Sequence, residues 1–352
     1  MPTPSADIVF QPASSMALDP TGREGFNPRN AWFLAHLSRV AYLDEEDARE
    51  RCQKLGFIPS TFQWFAKRED AKSGLNHDTQ SFIAAHEDYT VVAFRGTTNG
   101  SDWATNVNMF EHKTPHGGVH RGFSEAVDTV WGRMLPAIKQ LREQSPKKPI
   151  FVCGHSLGAA LASVATARLV LDEGIPVASL YTIGSPRVFM EDFVPSFDEA
   201  MKEKCFRAVN NNDIVTRVPF DGYVLNISGF NFAHVAAEVY INRSGNVGSR
   251  NLWDSFAGRF QALFGGTITD GVEDHGAVHY EEAFRKEALK ASKDPLSRAA
   301  EKLMGAVMEI VPSPLDVAKD RNVPDLAKEL PKKMAELGVS TTSEQKTLIK
   351  GK

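Results

Sequence analysis

Apolar residues recur along this chain in two rhythms, and the alternation between them predicts its layout. Trp32, Leu34, Leu37, Val40 and Ala41 return at roughly helical spacing after Asn27-Pro28. Proline suits a first helical turn, so 28–43 is expected to be an amphipathic helix. A second helix should follow, capped by Asp44 and stopped by Gly56, with Glu45, Glu46 and Asp47 complementing the dipole of its first turn. From Thr79 to Thr97 the run TQSFIAAHEDYTVVAFRGT holds two apolar, β-branched stretches joined at Glu87-Asp88, which predicts a hairpin of two buried strands. Further short apolar strands are expected at 149–154, 178–184, 205–210, 222–228 and 235–242. Between the first two lies LGAALASVATARLVLDEG, whose Ala-rich, Leu-bearing pattern predicts a well-buried helix over 157–172. Strand, helix, strand in that order implies parallel pairing, hence an α/β fold with a central, mostly parallel sheet flanked by helices.

The ends read differently. Residues 1–27 mix Pro, Ser, Gly and Asp without periodicity and predict an irregular arm. Beyond 280 the composition shifts to Lys, Glu, Ala, Asp and Pro, with weak helical segments at 281–292, 297–310 and 324–336. Pro312, Pro314, Pro324 and Pro331 forbid one long helix there. The expected organisation is an arm over 1–27, a main domain over 28–285 and a peripheral helical tail over 286–352. A chain of 352 residues can carry one large domain with an appendage.

Composition then removes several classes of function. With 42% apolar and 24% charged residues the chain is an ordinary globular one, neither disordered nor fibrous. A net charge of −4 offers no basic footprint for a nucleic-acid partner. No run of 18 apolar residues is present to span a membrane. Three widely spaced cysteines, Cys52, Cys153 and Cys205, form neither a disulfide framework nor a metal-binding pair, and are expected to be reduced, buried thiols. The N-terminal sequence has no apolar leader-like core, so the default expectation is a cytoplasmic protein, with export by a route that needs no signal peptide left open.

The chemistry centres on Gly154-His155-Ser156-Leu157-Gly158, a G-x-S-x-G match lying between an apolar strand and an apolar helix. That context predicts a nucleophile elbow of the α/β-hydrolase fold, where glycines let neighbouring chains pass too closely for side chains. The bland reading of Ser156 is a helix N-cap. A serine hydroxyl needs an imidazole to take its proton and a carboxylate to orient the imidazole. Among the downstream carboxylates Asp213 stands out, because it follows the strand CFRAVN at the carboxyl end, where sites in open α/β sheets are built. An Asx-turn would explain it equally well by position. Three histidines follow, His234, His275 and His279, and composition does not choose among them. His234 leads into a strand and reads as structural, His275 lies in the polar loop GVEDHG, and His279 starts a helical stretch.

Several separate segments now converge. They are Val92-Ala93-Phe94-Arg95-Gly96-Thr97 with Asp102-Trp103, Val119-His120-Arg121-Gly122-Phe123, Gly154–Ala159, Gly184-Ser185-Pro186-Arg187-Val188, Asn212-Asp213-Ile214-Val215, His234-Val235, and Asp274-His275 with Tyr280. In this order, across about 30–285, the chain resembles the class 3 lipases, a family of fungal-type lipases with bacterial and plant members. The resemblance implies Ser156 as nucleophile, Asp213 as orienting acid and His275 as base. It implies an oxyanion hole from the Leu157 N–H and from Thr97, and His234 as the family's non-catalytic His-Val. It implies no metal or organic cofactor.

Two stretches fit a mobile apolar cover. Residues 98–118, with Trp103 and Phe110, occupy the family's lid location. Residues 252–264 carry Trp253, Phe256 and Phe260 on a helical stripe that would cap an acyl pocket, meet a lipid interface, or simply pack. The activity implied is hydrolysis of lipid or small carboxylic esters through an acyl-enzyme. A phospholipase-type effector, an amidase or thioesterase, and a non-catalytic interaction protein on the same fold are the rival readings.

Overall fold

Asn27 accepts hydrogen bonds from the N–H groups of Arg29 and Asn30 and so starts the first helix, α1 (Pro28–Val40), with proline in its first turn. The computed structural model describes residues 17–21, 25–66, 79–97, 110–211, 213, 215–219, 231–242, 244–248 and 275–291. Trp103, Trp253, Phe256, Phe260, the expected strand at 222–228, the stretch 252–264 and the helices expected at 297–310 and 324–336 lie outside the described residues. Asp44 accepts from the Asp47 N–H and caps α2 (Glu45–Lys54), whose first turn holds the three acidic residues the pattern singled out.

The expected hairpin is present. Strand β1 (Gln63–Ala66) precedes it, and β2 (Gln80–Ala85) pairs antiparallel with β3 (Thr90–Phe94), the turn closed by His86 N–H to Tyr89 C=O. A second, small hairpin, β4 (Glu111–Thr114) with β5 (Gly117–His120), occupies the end of the expected lid stretch. Next comes α3 (Arg121–Gln144), the longest described helix, which the sequence reading did not predict. Its signal was legible: Phe123, Ala126, Val127, Val130, Met134, Ala137 and Ile138 are buried at helical spacing, and Pro136 had obscured the pattern.

Then β6 (Ile150–His155), α4 (Leu157–Ala167) and β7 (Ser179–Ile183) follow as strand, helix and strand. The helix ends in a π-turn over Arg168–Asp172, so the apolar period carries to the predicted limit although the regular helix stops sooner. The remaining elements are β8 (Phe189–Met190), α5 (Val194–Ala200), β9 (Cys205–Asn210), β10 (Phe232–Ala233), β11 (Ala237–Ile241), β12 (Val247–Gly248) and α6 (Ala277–Ala291).

The main sheet runs β1-β2-β3-β6-β7-β9-β11-β12, with β3, β6, β7, β9 and β11 mutually parallel and the edges antiparallel. It is the central, mostly parallel sheet of an α/β-hydrolase fold. Its central strands are buried throughout, the mark of a sheet covered on both faces. Val92, Val152 and Leu180 from the sheet pack with Phe123, Val127 and Met134 of α3 and Ala160, Leu161 and Val164 of α4. A second sheet, β10-β8-β5-β4, carries the small hairpin. All three cysteines are free and buried, and burial pushes the thiols of Cys52 and Cys153 up to about 12. The chain divides into two units, Met1–Arg285 and Lys286–Lys352.

Candidate active site

Four parallel strands end on one edge of the main sheet, and the loops leaving them carry the residues of interest. Ser156 follows β6 directly and heads α4, with φ 60° and ψ −130°. A non-glycine residue rarely holds this conformation, at a cost of about 1–3 kcal/mol. Its surroundings enforce it. A Cβ on Gly154 would collide with Gly158 C=O, and one on Gly158 would collide with Phe94 C=O. The glycines of the pentapeptide therefore mark a crossing of three chain segments, as a nucleophile elbow requires.

Asp213 follows β9. It is buried, and its carboxylate is fully engaged: Oδ1 accepts the Val215 N–H at 2.9 Å, and Oδ2 accepts His275 Nδ1 at 2.9 Å and the Tyr280 hydroxyl at 2.6 Å. The Asx-turn and the bonds to His275 and Tyr280 therefore coexist on two oxygens of one side chain. An ionised carboxylate only accepts, so Nδ1 of His275 carries a proton, and in the neutral ring Nε2 then presents a lone pair. That Nε2 and Ser156 Oγ are both buried without a hydrogen-bond partner among the described residues. A buried hydroxyl and a buried imidazole nitrogen left unpaired are costly and call for an explanation. The two residues are joined through His155, which precedes Ser156 in the chain and bonds the His275 carbonyl.

The other two histidines are placed elsewhere. His234 Nε2 donates to Thr216 C=O at 2.7 Å, the structural state expected for it. His279 sits exposed on the first turn of α6.

The loop after β3 runs against the elbow. Besides the Gly158 contact, a Cβ on Gly96 would lie 2.6 Å from His155 C=O. Thr97, half-buried, is the next residue of that loop. Leu157 is the first residue of α4, where helical N–H groups lack intrahelical partners. Of the expected lid stretch, the part from Phe110 onward is the β4–β5 hairpin, with Phe110 57% exposed.

Several residues here were missed by reasoning from the sequence. Gly184, at the end of β7 with φ 59°, has no side chain because a Cβ would lie 2.9 Å from Asp213 Oδ2 and 3.0 Å from His275 Cε1. Tyr280, to which the sequence assigned no role, is fully buried and also accepts the Asn210 N–H at 2.9 Å. His155 links three parts of the site. Its Nε2 meets the His275 carbonyl at 2.7 Å, and a carbonyl only accepts, so Nε2–H is the donor. Its Nδ1 then accepts the Tyr42 hydroxyl at 2.9 Å, and that hydroxyl in turn accepts the Gly96 N–H. Burial, reinforced by the adjacent His275, lowers the His155 pKa to about 3, so the ring is neutral. Only the pairing partners, 113 and 120 residues away, distinguish this histidine from any other buried one.

Comparison with known proteins bears on this geometry. The family profile described as Lipase (class 3) matches residues 91–223. Over that stretch the chain is similar to the class 3 lipases. A secreted mono- and diacylglycerol lipase of Fusarium solani is 40% identical over 133 residues, covering 37% of this chain and 39% of the relative. A secreted mono- and diacylglycerol lipase of Penicillium cyclopium is 30% identical over 177 residues, covering 48% and 54%. The chain thus spans about half or less of the length of these relatives. A lipase of Rhizopus niveus shares the fold at TM-score 0.51 and 23% identity, covering 61% of this chain and 80% of its own.

One expectation is overturned. The Fusarium solani and Penicillium cyclopium lipases are both named as secreted, which points to an extracellular setting and away from the cytoplasm. The pattern of the first residues alone could not carry a compartment. Among the described residues no helix is long and apolar enough to cross a membrane, and no group of His, Cys, Asp and Glu is placed to hold a metal ion.

Proposed function

We propose that this protein is a secreted serine hydrolase of carboxylic esters, acting on acylglycerols or similar lipid esters. One observation carries the reading. A strained, buried serine with an unpaired hydroxyl shares its site with a histidine whose tautomer Asp213 fixes so that Nε2 is the free base.

In the proposed reaction Ser156 Oγ attacks the ester carbonyl carbon while His275 Nε2 takes the hydroxyl proton. Asp213 stays ionised and stabilises the imidazolium. The carbonyl oxygen, now an anion, meets the N–H of Leu157 and the donors of Thr97. The C–O bond to the alcohol breaks as His275 returns the proton to it, leaving an acyl-serine. Water, deprotonated by the same nitrogen, then releases the acid and restores Ser156. Contact with a lipid surface belongs to the same reading, supported by the exposed Phe110 and by the acylglycerol lipases among the relatives.

The test is hydrolysis of p-nitrophenyl esters from acetyl to palmitoyl, and of a monoacylglycerol emulsion, by the native chain and by Ser156→Ala. The expected outcome is ester cleavage that falls by at least about 10⁴-fold in the variant, since losing the nucleophile leaves only oxyanion stabilisation and binding. A folded native chain inert on every ester, phospholipid included, would instead favour an interaction protein on this fold.

A further inference from the structure

His275 stands at the mouth of α6, and what the described residues show holding α6 decides where the ring points. Two consecutive side chains brace the helix in different directions, because neighbours on a helix project about 100° apart. Tyr280 reaches towards the sheet edge, to Asp213 and the Asn210 N–H. Glu281 reaches towards α1. Its Oε1 lies 3.0 Å from Nδ1 of His36 and its Oε2 is 2.6 Å from Nη1 of Arg39. His36 is wholly buried and the Glu281 side chain is 10% exposed.

Burial alone would push the Glu281 carboxyl up, but hydrogen bonds and charge from His36 and Arg39 outweigh it and hold the group below its ordinary value. Bonds to both carboxylate oxygens, made from two positions on one neighbouring helix, leave α6 no freedom to rotate about its axis. An apolar side chain could bury equal area there without fixing that rotation, which is the use that best accounts for a buried ionic cluster.

We propose that Glu281 is a positioning residue for His275: pinned to α1 by His36 and Arg39, it sets the rotation and depth of α6, and through them the Tyr280 hydroxyl and the base. The proposal rests on the reading of His275 as the general base. Remote displacements of about 1 Å can cost about 100-fold in rate, so a partial release, with Tyr280 still in place, should cost about tenfold.

The experiment compares native protein, Glu281→Leu, Arg39→Gln and the control Glu282→Gln, whose partner Arg285 lies on the same helix. Turnover of p-nitrophenyl butyrate is counted per Ser156 labelled by a fluorophosphonate, well below each melting temperature. In parallel, the low-field proton resonance of the His275 Nδ1–H, assigned by its loss in His275→Gln, is recorded. Glu281→Leu should lose about tenfold in kcat with KM within about twofold, and its resonance should shift or broaden. Arg39→Gln, which leaves the His36 bond, should lose about threefold and serves if Glu281→Leu does not fold. Glu282→Gln should match the native protein. Unchanged kcat per labelled site with an unmoved resonance, alongside a lower melting temperature, would reduce Glu281 to a stabilising contact and overturn the proposal. If the native chain shows no Ser156-dependent hydrolysis, the hydrolase reading fails by itself, and the resonance still decides whether Glu281 positions His275.

Discussion

Ser156 sits between two glycines whose replacement is blocked by backbone atoms of a neighbouring turn and strand, whereas His275 is oriented by side chains that arrive from Asp213, 62 residues away, and His155, 120 residues away. The first arrangement is steric and local. Its tolerance is set by the thickness of three crossing chains, and any added methyl meets a carbonyl. The second is polar and long-range, a set of hydrogen bonds each of which can be removed singly. On the proposed reading Ser156 needs an unyielding seat because its conformation is strained, while His275 must change protonation state and partner during each turnover. The contrast predicts that substitutions on the two sides fail in different ways: on the histidine side chemistry is lost with the fold kept, and on the elbow side the fold itself goes.

Asp213→Asn should give the largest effect on chemistry. The amide can donate to His275 Nδ1, which favours the wrong tautomer and takes the lone pair from Nε2, and a loss of about 10⁴-fold in kcat follows. Circular dichroism and melting should show a folded protein. A loss under tenfold would mean that Asp213 is only the Asx-turn residue that its bond to Val215 also makes it.

The same contrast explains what could be read before the structure. Gly154, Ser156 and Gly158 announce themselves because a local steric rule writes itself into adjacent residues. The parallel sheet was legible for a similar reason, since strands buried on both faces are continuous apolar runs, as β3, β6 and β7 are. Choosing His275 over His234 and His279 needed a family resemblance, because no local pattern records which histidine a distant carboxylate will meet. Tyr42, His155 and Glu281 were invisible for that reason: each works through a partner more than 100 residues away. The helix α3 was a different failure, an amphipathic period present in the sequence but interrupted by Pro136.

Gly154→Ala tests the steric side. The added methyl would be forced into Gly158 C=O, backbone that cannot swing aside. The elbow must then open at a cost above about 3 kcal/mol, beyond the usual range for overpacking a core. Chemical denaturation should show that loss, and whatever folded protein remains should be inactive. A stability within about 1 kcal/mol of native would show that the elbow yields, and the contrast with the histidine side would collapse.

The smallest effect lies where the two sides meet, at His155, which belongs to the elbow by sequence and to the base by its bond to the His275 carbonyl. Burial and the nearby His275 lower its pKa from 6.5 to about 3. A histidine kept neutral in the fold but free to protonate when unfolded means that the unfolded chain binds the extra proton. Stability from this group is therefore complete above pH 6.5 and declines as pH falls from there towards about 3. One proton corresponds to about 1.4 kcal/mol per pH unit, so between pH 6.5 and 4.5 His155 should account for about 2 kcal/mol of lost stability. His155→Gln, neutral throughout, removes this dependence while its amide can still donate towards the His275 carbonyl. Urea unfolding at both pH values should show a shallower acid loss in the variant by about that amount, because the carboxylates contribute equally to both proteins. Equal slopes would mean that the folded protein takes up the proton at His155 with little penalty. The imidazole would then be no fixed neutral link, and the His275 backbone would have to be held by α6 alone.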